Sequence, residues 1–450
     1  MNKIPDQELA TAAARGGALG ELVRRLWEST RIDWSFASDT LAVAFRKRRD
    51  LGSRERRFVS ETLYGMIRHL RRIDEALAAG GVTAARRAPD RERLLAYLVL
   101  EDGLAIGDAI AAAPDVDWRA VADIDARLAR EPDAARRIAR LHSLPDWLAA
   151  RLVADLGADA EPFAAALNQR APMTIRANTL RTDRDALAAA LRDDGFETEP
   201  GKYCDTALHV TTRTNLFSLA PFSRGWFEAQ DEGSQLIADL VAPPPRSIVV
   251  DACAGAGGKT LALAAALGNR GRVVAVDVDA RKLTELKRRA KRAGATNVQT
   301  VTVEGGDEPY PAPLERHAGK APRVLVDAPC TGIGSLRRNP EARWRMTEAD
   351  LDRLPRQQLE IAERALELVA PGGRLVYATC TVLRAENQAV VEALRAAHSE
   401  LEVVPAKLVW GKQRAEAVCD ETGTYLKVGP HSHGTDGFFA AVLRKPQPGQ

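Results

Sequence analysis

Ser247-Ile-Val-Val-Asp251-Ala-Cys253-Ala-Gly255-Ala-Gly257-Gly258-Lys259-Thr260 is an apolar run closed by an acid, then a glycine-rich turn, then an Ala/Leu-rich stretch from Leu261. It reads as buried strand, tight loop and helix. The same pattern recurs downstream in Arg272-Val-Val-Ala-Val-Asp277, Val298-Gln-Thr-Val-Thr-Val303, Arg323-Val-Leu-Val-Asp327 and Gly373-Arg-Leu-Val-Tyr-Ala-Thr379. Apolar runs alternating with helical spacing predict a doubly wound parallel sheet. The tail differs, because Gly437-Phe-Phe-Ala-Ala-Val-Leu443 comes after Glu402-Val-Val404 and is expected as an antiparallel strand at the sheet edge.

Upstream of this domain, residues 1 to about 140 are rich in Ala, Leu and Arg with helical periodicity, as in Glu21-Leu-Val-Arg-Arg-Leu-Trp27. Basic residues gather there: Arg46-Lys-Arg-Arg49, Arg54, Arg56, Arg57, then Arg68, Arg71 and Arg72. Arg68 and Arg72 are four apart and are expected on one helix face. Such a cluster is either a solvated surface or a phosphate footprint. A small α+β module follows. Pro172-Met-Thr-Ile-Arg-Ala-Asn-Thr-Leu180 and Leu208-His-Val-Thr-Thr212 alternate like strands, with a helix from Thr182, its cap, to Leu191 between them. Trp226 to Leu240 reads as one amphipathic helix before Pro243-Pro-Pro245. The expected domains are therefore 1–140, 141–242 and 243–450.

At 450 residues, with 45% hydrophobic and 28% charged residues, the chain has the composition of a soluble multidomain protein. A net charge of +3 does not by itself announce a nucleic-acid binder. Cys204, Cys253, Cys330, Cys380 and Cys419 are odd in number and widely spaced, which indicates neither a disulfide framework nor a zinc site. No metal is expected. With no secretory signal and no apolar run long enough for a membrane span, a reducing cytoplasm is the expected compartment.

Three ligands compete for the glycine loop at 253–259. A Walker A loop needs glycine where Cys253 stands, and the spacing of Gly255, Gly257 and Gly258 does not supply a dinucleotide fingerprint. S-adenosylmethionine, which has no pyrophosphate to cradle, is compatible. Asp277 closes the second strand, where an acid can accept ribose hydroxyls. Asp307, in Gly305-Gly-Asp-Glu-Pro-Tyr310, stands where a polar group can meet the adenine amine, with Glu304 as the alternative acid.

Two thiols end neighbouring predicted strands, in Asp327-Ala-Pro-Cys330-Thr-Gly-Ile-Gly334 and Thr379-Cys380-Thr-Val-Leu-Arg-Ala-Glu386-Asn387. They are a redox pair or the machinery of a reaction at pyrimidine carbon. Carbon 5 of cytosine is a poor nucleophile, and a thiolate added at carbon 6 makes it an enamine that can attack a methyl sulfonium. A base must then remove the carbon 5 proton so that the thiol can leave, and Asp327 can hydrogen-bond or protonate the ring nitrogen.

Asp327-Ala-Pro-Cys330, Thr379-Cys380 and Cys253-Ala-Gly-Ala-Gly-Gly-Lys259 resemble the motifs of the Sun-type RNA (cytosine-5) methyltransferases, particularly the bacterial small-subunit rRNA branch. The resemblance extends to Gln230-Asp-Glu-Gly-Ser234, Arg176-Ala-Asn178, Arg337-Arg-Asn-Pro340, Glu386-Asn387 and His433-Gly-Thr-Asp-Gly-Phe-Phe439. Arg56-Arg-Phe-Val-Ser-Glu-Thr-Leu-Tyr64-Gly65-Met-Ile-Arg68 is similar to a NusB-like RNA-binding domain.

The resemblance implies a class I methyltransferase fold with a mostly parallel seven-stranded sheet, preceded by the α+β module and an all-α NusB-like domain. It also implies an S-adenosylmethionine-dependent enzyme forming 5-methylcytidine in small-subunit ribosomal RNA. By it, Cys380 matches the nucleophile, Cys330 the cysteine that assists product release, and Asp327 the residue that contacts the base beside the cofactor. Cys253, Ala254, Gly255, Ala256, Gly257, Gly258, Lys259, Asp277, Asp307 and Asp327 match cofactor positions. The family loop commonly reads Ala-Pro-Gly-Gly where this chain has Gly255-Ala-Gly-Gly258. The same chemistry on tRNA or DNA, and a non-catalytic RNA-binding assembly factor, are the competing readings.

Overall fold

A computed structural model describes residues 6–82, 90–212, 215–305 and 308–447. The chain divides into two compact units, 1–170 with 335–348, and 171–334 with 349–450.

The first unit is helical from Gln7–Ala14 to Ala160–Leu167. Its core gathers Trp27, Leu63, Met66, Ile67, Leu95, Tyr97 and Trp118, all nearly sealed from solvent. The segment Ser335–Glu348 belongs to this unit although it lies between two strands of the other. Its Arg343 is fully buried and directs Nη1 at the carbonyl oxygens of Arg68, His142 and Ser143 and at Asn168 Oδ1, 2.9–3.3 Å away. Trp344 Nε1 donates to Ile67 O at 2.8 Å.

Several arginines of these clusters are paired within the unit, while Arg46, Lys47, Arg49, Arg54 and Arg57 are exposed. Arg72 pairs with Asp125 and Glu101 at 2.6 and 2.5 Å, Arg71 with Asp146 at 2.8 Å, and Arg54 with Asp6 and Glu8, both at 2.7 Å. Arg68 donates to Arg337 O at 3.2 Å. The helix Ser53–Arg68 also stops before Arg72, at His69, and a new helix starts at Leu70. The two arginines therefore do not share one helix, and both are held by groups inside the unit.

The second unit carries two sheets. The small antiparallel one orders its strands β2-β3-β1-β4, with β1 Met173–Ala177, β2 Thr198–Pro200, β3 Ala207–Val210 and β4 Phe227–Ala229. The adjoining helix Arg184–Asp193 is capped by Asp183, whose carboxylate accepts from Ala186 N at 2.8 Å, rather than by Thr182. Trp226 to Leu240 is not one helix. Phe227–Ala229 pairs with β1, and the helix runs only from Glu232 to Leu240, capped by Asp231. Sheet pairing overrides the helical spacing there.

The large sheet comprises β5 Ile248–Asp251, β6 Arg272–Asp277, β7 Val298–Thr302, β8 Ala321–Asp327, β9 Val369–Thr379, β10 Glu402–Val403, β11 Leu426–Val428 and β12 Phe438–Arg444. Its path is β10-β12-β9-β8-β5-β6-β7, the expected seven strands, with β11 pairing β12 off that path. The five central strands are parallel and β12 is antiparallel. β12 is one position in from the edge, which is taken by β10. The order reverses between β5 and β8, so the crevice beyond their carboxyl ends is where this architecture seats a ligand. No helix of the described residues is long and apolar enough to cross a membrane.

Candidate active site

Asp251, Asp277, Asp327 and Thr379 end β5, β6, β8 and β9, so four strands deliver polar groups to one crevice. The cleft there has a volume of about 1440 Å³ and is lined by Cys253, Gly255, Asp277, Val278, Tyr310 and Asp327 among others.

At one end the loop after β5 folds back on β6. Ala254 N donates to Val276 O at 2.9 Å, and Gly255 N donates to Asp277 Oδ2 at 2.7 Å. Asp277 Oδ1 accepts from Asp279 N at 2.8 Å, so the carboxylate is fixed by backbone on both sides and keeps lone pairs for a ligand. Gly255 has φ +54°, a conformation that glycine enters without cost, and a Cβ there would meet no other atom. Asp251 is fully buried and accepts from Thr260 Oγ1 at 2.6 Å. Burial pushes its carboxyl up to about 7, against the pull of that hydrogen bond.

The residues present fit an adenosyl group. A flat ring needs an apolar face and a ribose diol needs an anchored carboxylate. Val278, 64% exposed and directly after Asp277, supplies the first, and Asp277 the second. Val278 escaped the sequence reading, where it looked like one more residue after a strand. Glu304 lines the cleft. Asp307 falls outside the described residues. Cys253 lines the cleft too, and burial raises its thiol well above its usual range, so it offers surface rather than a nucleophile.

The thiols stand just beyond Asp327 and Pro329, which line the cleft. Asp327 and Ala378 are partners in the β8–β9 ladder, and Ala328 N donates to Ala378 O at 2.8 Å. Two parallel strands leaving the sheet in register thus bring Cys330 Sγ and Cys380 Sγ to 3.4 Å, in hydrogen-bond contact and both reduced. The loop between Cys330 and Gly334 is closed by Gly334 N donating to Cys380 O at 3.0 Å and Gly437 N to Gly334 O at 2.9 Å. A Cβ at Gly334 would lie 2.0 Å from Gly437 O, so only glycine allows this approach.

Beneath the thiols lies a buried polar network that the sequence did not reveal. Glu386 accepts from Thr331 N at 2.8 Å, Thr331 Oγ1 at 2.5 Å and Gln358 Nε2 at 3.0 Å. Thr331 Oγ1 also lies 3.2 Å from Thr381 Oγ1, whose hydroxyl it can accept from. Each thiol is therefore followed by a threonine, and Glu386 ties the two together. Asn387 joins from the same turn, accepting from Thr379 Oγ1 and donating to Thr381 O. Burial raises the Glu386 carboxyl, with the hydrogen bonds from Thr331 opposing. The only advance signal was the Glu386-Asn387 pair itself, because its partners are distant in sequence.

Between the two ends, Lys259 Nζ is 2.6 Å from Asp327 Oδ2. Burial disfavours the ammonium, yet Asp327 outweighs it and holds Lys259 above its usual range. Cys330 is raised well above an ordinary thiol, first by its hydrogen bond with Cys380 and then by burial. The arrangement places a paired acid and cation beside two thiols, at the mouth of a cleft whose far end fits a nucleoside.

The family model described as 16S rRNA methyltransferase RsmB/F matches residues 238–444, and its ferredoxin-like domain matches residues 144–216. A probable ribosomal RNA small subunit methyltransferase B from Bacillus subtilis is 33% identical, over 70% of this chain and 69% of its own length. One from Synechocystis is 29% identical, over 87% and 91%. Among solved structures, a methyltransferase homologue from Pyrococcus horikoshii has a TM-score of 0.57 at 27% identity, covering 67% of this chain and 95% of that one.

Proposed function

Because the chain belongs to the RsmB/F family of 16S rRNA methyltransferases, we propose that it methylates carbon 5 of a cytosine in small-subunit ribosomal RNA through a covalent Cys380 adduct. The observation that carries this reading is the pair of reduced thiols 3.4 Å apart beside Asp327. A redox pair would need neither the Asp327–Lys259 pair nor a nucleoside-shaped cleft.

S-adenosylmethionine is the methyl donor and supplies an electrophilic methyl on a sulfonium. Cys253 to Lys259, Asp277, Asp307 and Asp327 would line its seat. The target cytosine must leave its stack to reach the thiols. Cys380 gives up its thiol proton and Sγ adds to carbon 6 while Asp327, taking a proton from its partner Lys259, donates that proton to the ring nitrogen, which stabilises the electron pair pushed into the ring, and recovers it once carbon 5 is alkylated. Carbon 5 forms its bond to the methyl group as the methyl–sulfur bond breaks, its electron pair staying on sulfur to leave a neutral thioether.

Release requires the carbon 5 proton to leave, its electron pair to restore the 5,6 double bond, and the carbon–sulfur bond to break with its pair returning to Cys380. Cys330 is placed to take that proton. Its thiol is raised first by its hydrogen bond with Cys380 and then by burial, and the contribution of an ionised Cys380 falls away once that sulfur is bound to carbon 6. Cys330 can then give its own proton to solvent and act as the base.

The helical region 1–140 and the module 141–242 would bind RNA, and 243–450 would carry the methyl transfer, in the cytoplasm, where free thiols persist. The test is incorporation of labelled methyl into RNA and DNA oligonucleotides, with nucleoside analysis of the product. The expected product is 5-methylcytidine in RNA, none in DNA, and none from Cys380→Ala. Normal turnover by that variant, or methylation at another atom, would overturn the assignment.

A further inference from the structure

The described part of the second unit has another concave site, away from the thiols, lined by Arg181, Ser223, Arg224, Trp226, Arg288, Lys291 and Arg292 and about 660 Å³ in volume. We propose that it is a docking groove for single-stranded RNA, which receives the strand flanking the target nucleotide. The proposal rests on the RNA reading above and adds to it a place on the surface.

Cations from two elements converge there. The helix Ala280–Ala293 carries seven basic residues and one acid among its fourteen. The acid, Glu285, is paired with Arg288 at 2.7 Å. Arg181 and Arg224 come from the small module. Glu228 is buried beneath and pairs with Arg289 and with Arg292. One buried carboxylate thus fixes two guanidinium groups of the helix while Arg181, Arg224 and Lys291 remain exposed above it. Such an excess of positive charge in a concavity suits a polyanion.

Aromatic faces alternate with these charges, which distinguishes a nucleic-acid strand from an acidic protein. The Arg292 guanidinium lies 3.9 Å from the Phe222 ring centroid, and Phe222 meets Phe217 edge-on at 5.1 Å. Phe217 is 45% exposed, so part of its ring surface is open to solvent. Arg224 is 5.9 Å over Trp226. Cations tracking a backbone beside stacking platforms are the pattern of single-strand binding.

The groove and the cleft are served by one helix. Lys282, on the first turn of the same helix, lines the cofactor cleft, and Lys291 lies nine positions on, roughly 14 Å along the axis. Arg289 spans the interval, donating from Nη1 to Ala256 O of the glycine loop at 2.7 Å while holding Glu228. The two lysines stand on opposite sides of the helix, so a strand leaving the groove would pass round the helix to reach the mouth of the cleft. The small module is kept in register with the helix by Asn178, whose Nδ2 donates to Gly225 O and Ala293 O at 2.7 and 2.8 Å. This gives the Arg176-Ala-Asn178 motif a structural task.

The test uses the full chain and a fluorescein-labelled, cytosine-containing single-stranded RNA of twenty nucleotides, with anisotropy read across a salt series. The triple variant Arg181→Ala/Arg224→Ala/Lys291→Ala spares every buried pair and is checked by its melting temperature and its affinity for S-adenosylhomocysteine. Removing about three phosphate contacts should lower the affinity by about tenfold or more at low salt and flatten the log–log salt slope by about 2. Phe217→Ser should weaken binding without altering that slope. Unchanged affinity and slope in a folded triple variant that still methylates RNA would overturn the groove and leave the enzyme assignment intact. A wild-type chain that neither binds nor methylates RNA would overturn both. Binding of a labelled poly-glutamate peptide that the triple variant loses, with RNA binding unchanged in that variant, would overturn the proposal and give the groove to an acidic protein instead.

Discussion

The two ends of the cleft are built by different means. At the cofactor end the geometry is held by backbone: Asp277 is gripped by the N–H groups of Gly255 and Asp279, and the loop hangs from Val276 O. At the thiol end it is held by buried side chains, with Glu386 joining Thr331, Thr381 and Gln358 beneath Cys330 and Cys380. A backbone-built site tolerates changes of side chain that preserve its turns, as the Gly255-Ala256 departure from the common loop illustrates. A site built from buried polar side chains depends on every member, because each unpaired group left behind costs about 1–3 kcal/mol.

This contrast can be broken by substitution. Glu386→Ala should lower kcat by about a hundredfold, since an ångström of misplacement between reacting groups costs about that much, with S-adenosylhomocysteine affinity unchanged in calorimetry. Glu386→Gln, which keeps the shape and one acceptor, should recover part of the loss. A weakened cofactor affinity with normal kcat would show that the two ends are not separately built. Asp277→Ala should do the opposite, costing about tenfold or more in cofactor affinity, the worth of a charged hydrogen bond, with adduct formation at saturating cofactor retained.

A further expected effect is on stability. Asp251 is raised from an ordinary carboxyl to about 7 by burial, so the folded chain binds its proton more tightly than the unfolded chain does. Its contribution is fully present below the unfolded value near 4 and is lost as pH rises through about 7, with a slope of about 1.4 kcal/mol per pH unit between them. Melting temperatures measured from pH 5 to 8 should therefore fall with pH in the wild type and fall less steeply in Asp251→Asn. Parallel curves would mean that Asp251 titrates normally.

Much of the fold was legible because β5, β6, β8 and β9 are apolar runs closed by polar residues, and a strand buried on both faces can hardly be written otherwise. β4 was not, since Phe227-Glu-Ala229 has no strand character of its own and becomes a strand only by pairing with β1. The thiols and aspartates were legible because their chemistry belongs to their residue types. Their support was not: Glu386, Gln358 and Thr331 become one network only when three separate elements meet. The arginines teach the same lesson about charge. Arg68, Arg71 and Arg72 look like a footprint in sequence yet are held by partners within their unit, whereas Arg181, Arg224 and Lys291 are scattered along the chain and converge on one groove.

The central claim is that Cys380 makes the bond to the base and Cys330 helps to break it. Denaturing gel electrophoresis of Cys330→Ala incubated with S-adenosylmethionine and labelled RNA tests it most directly. A slow-migrating protein–RNA adduct that persists in Cys330→Ala and vanishes in Cys330→Ala/Cys380→Ala is the expected result. An adduct that survives the loss of Cys380, or one that requires Cys330, would contradict the account.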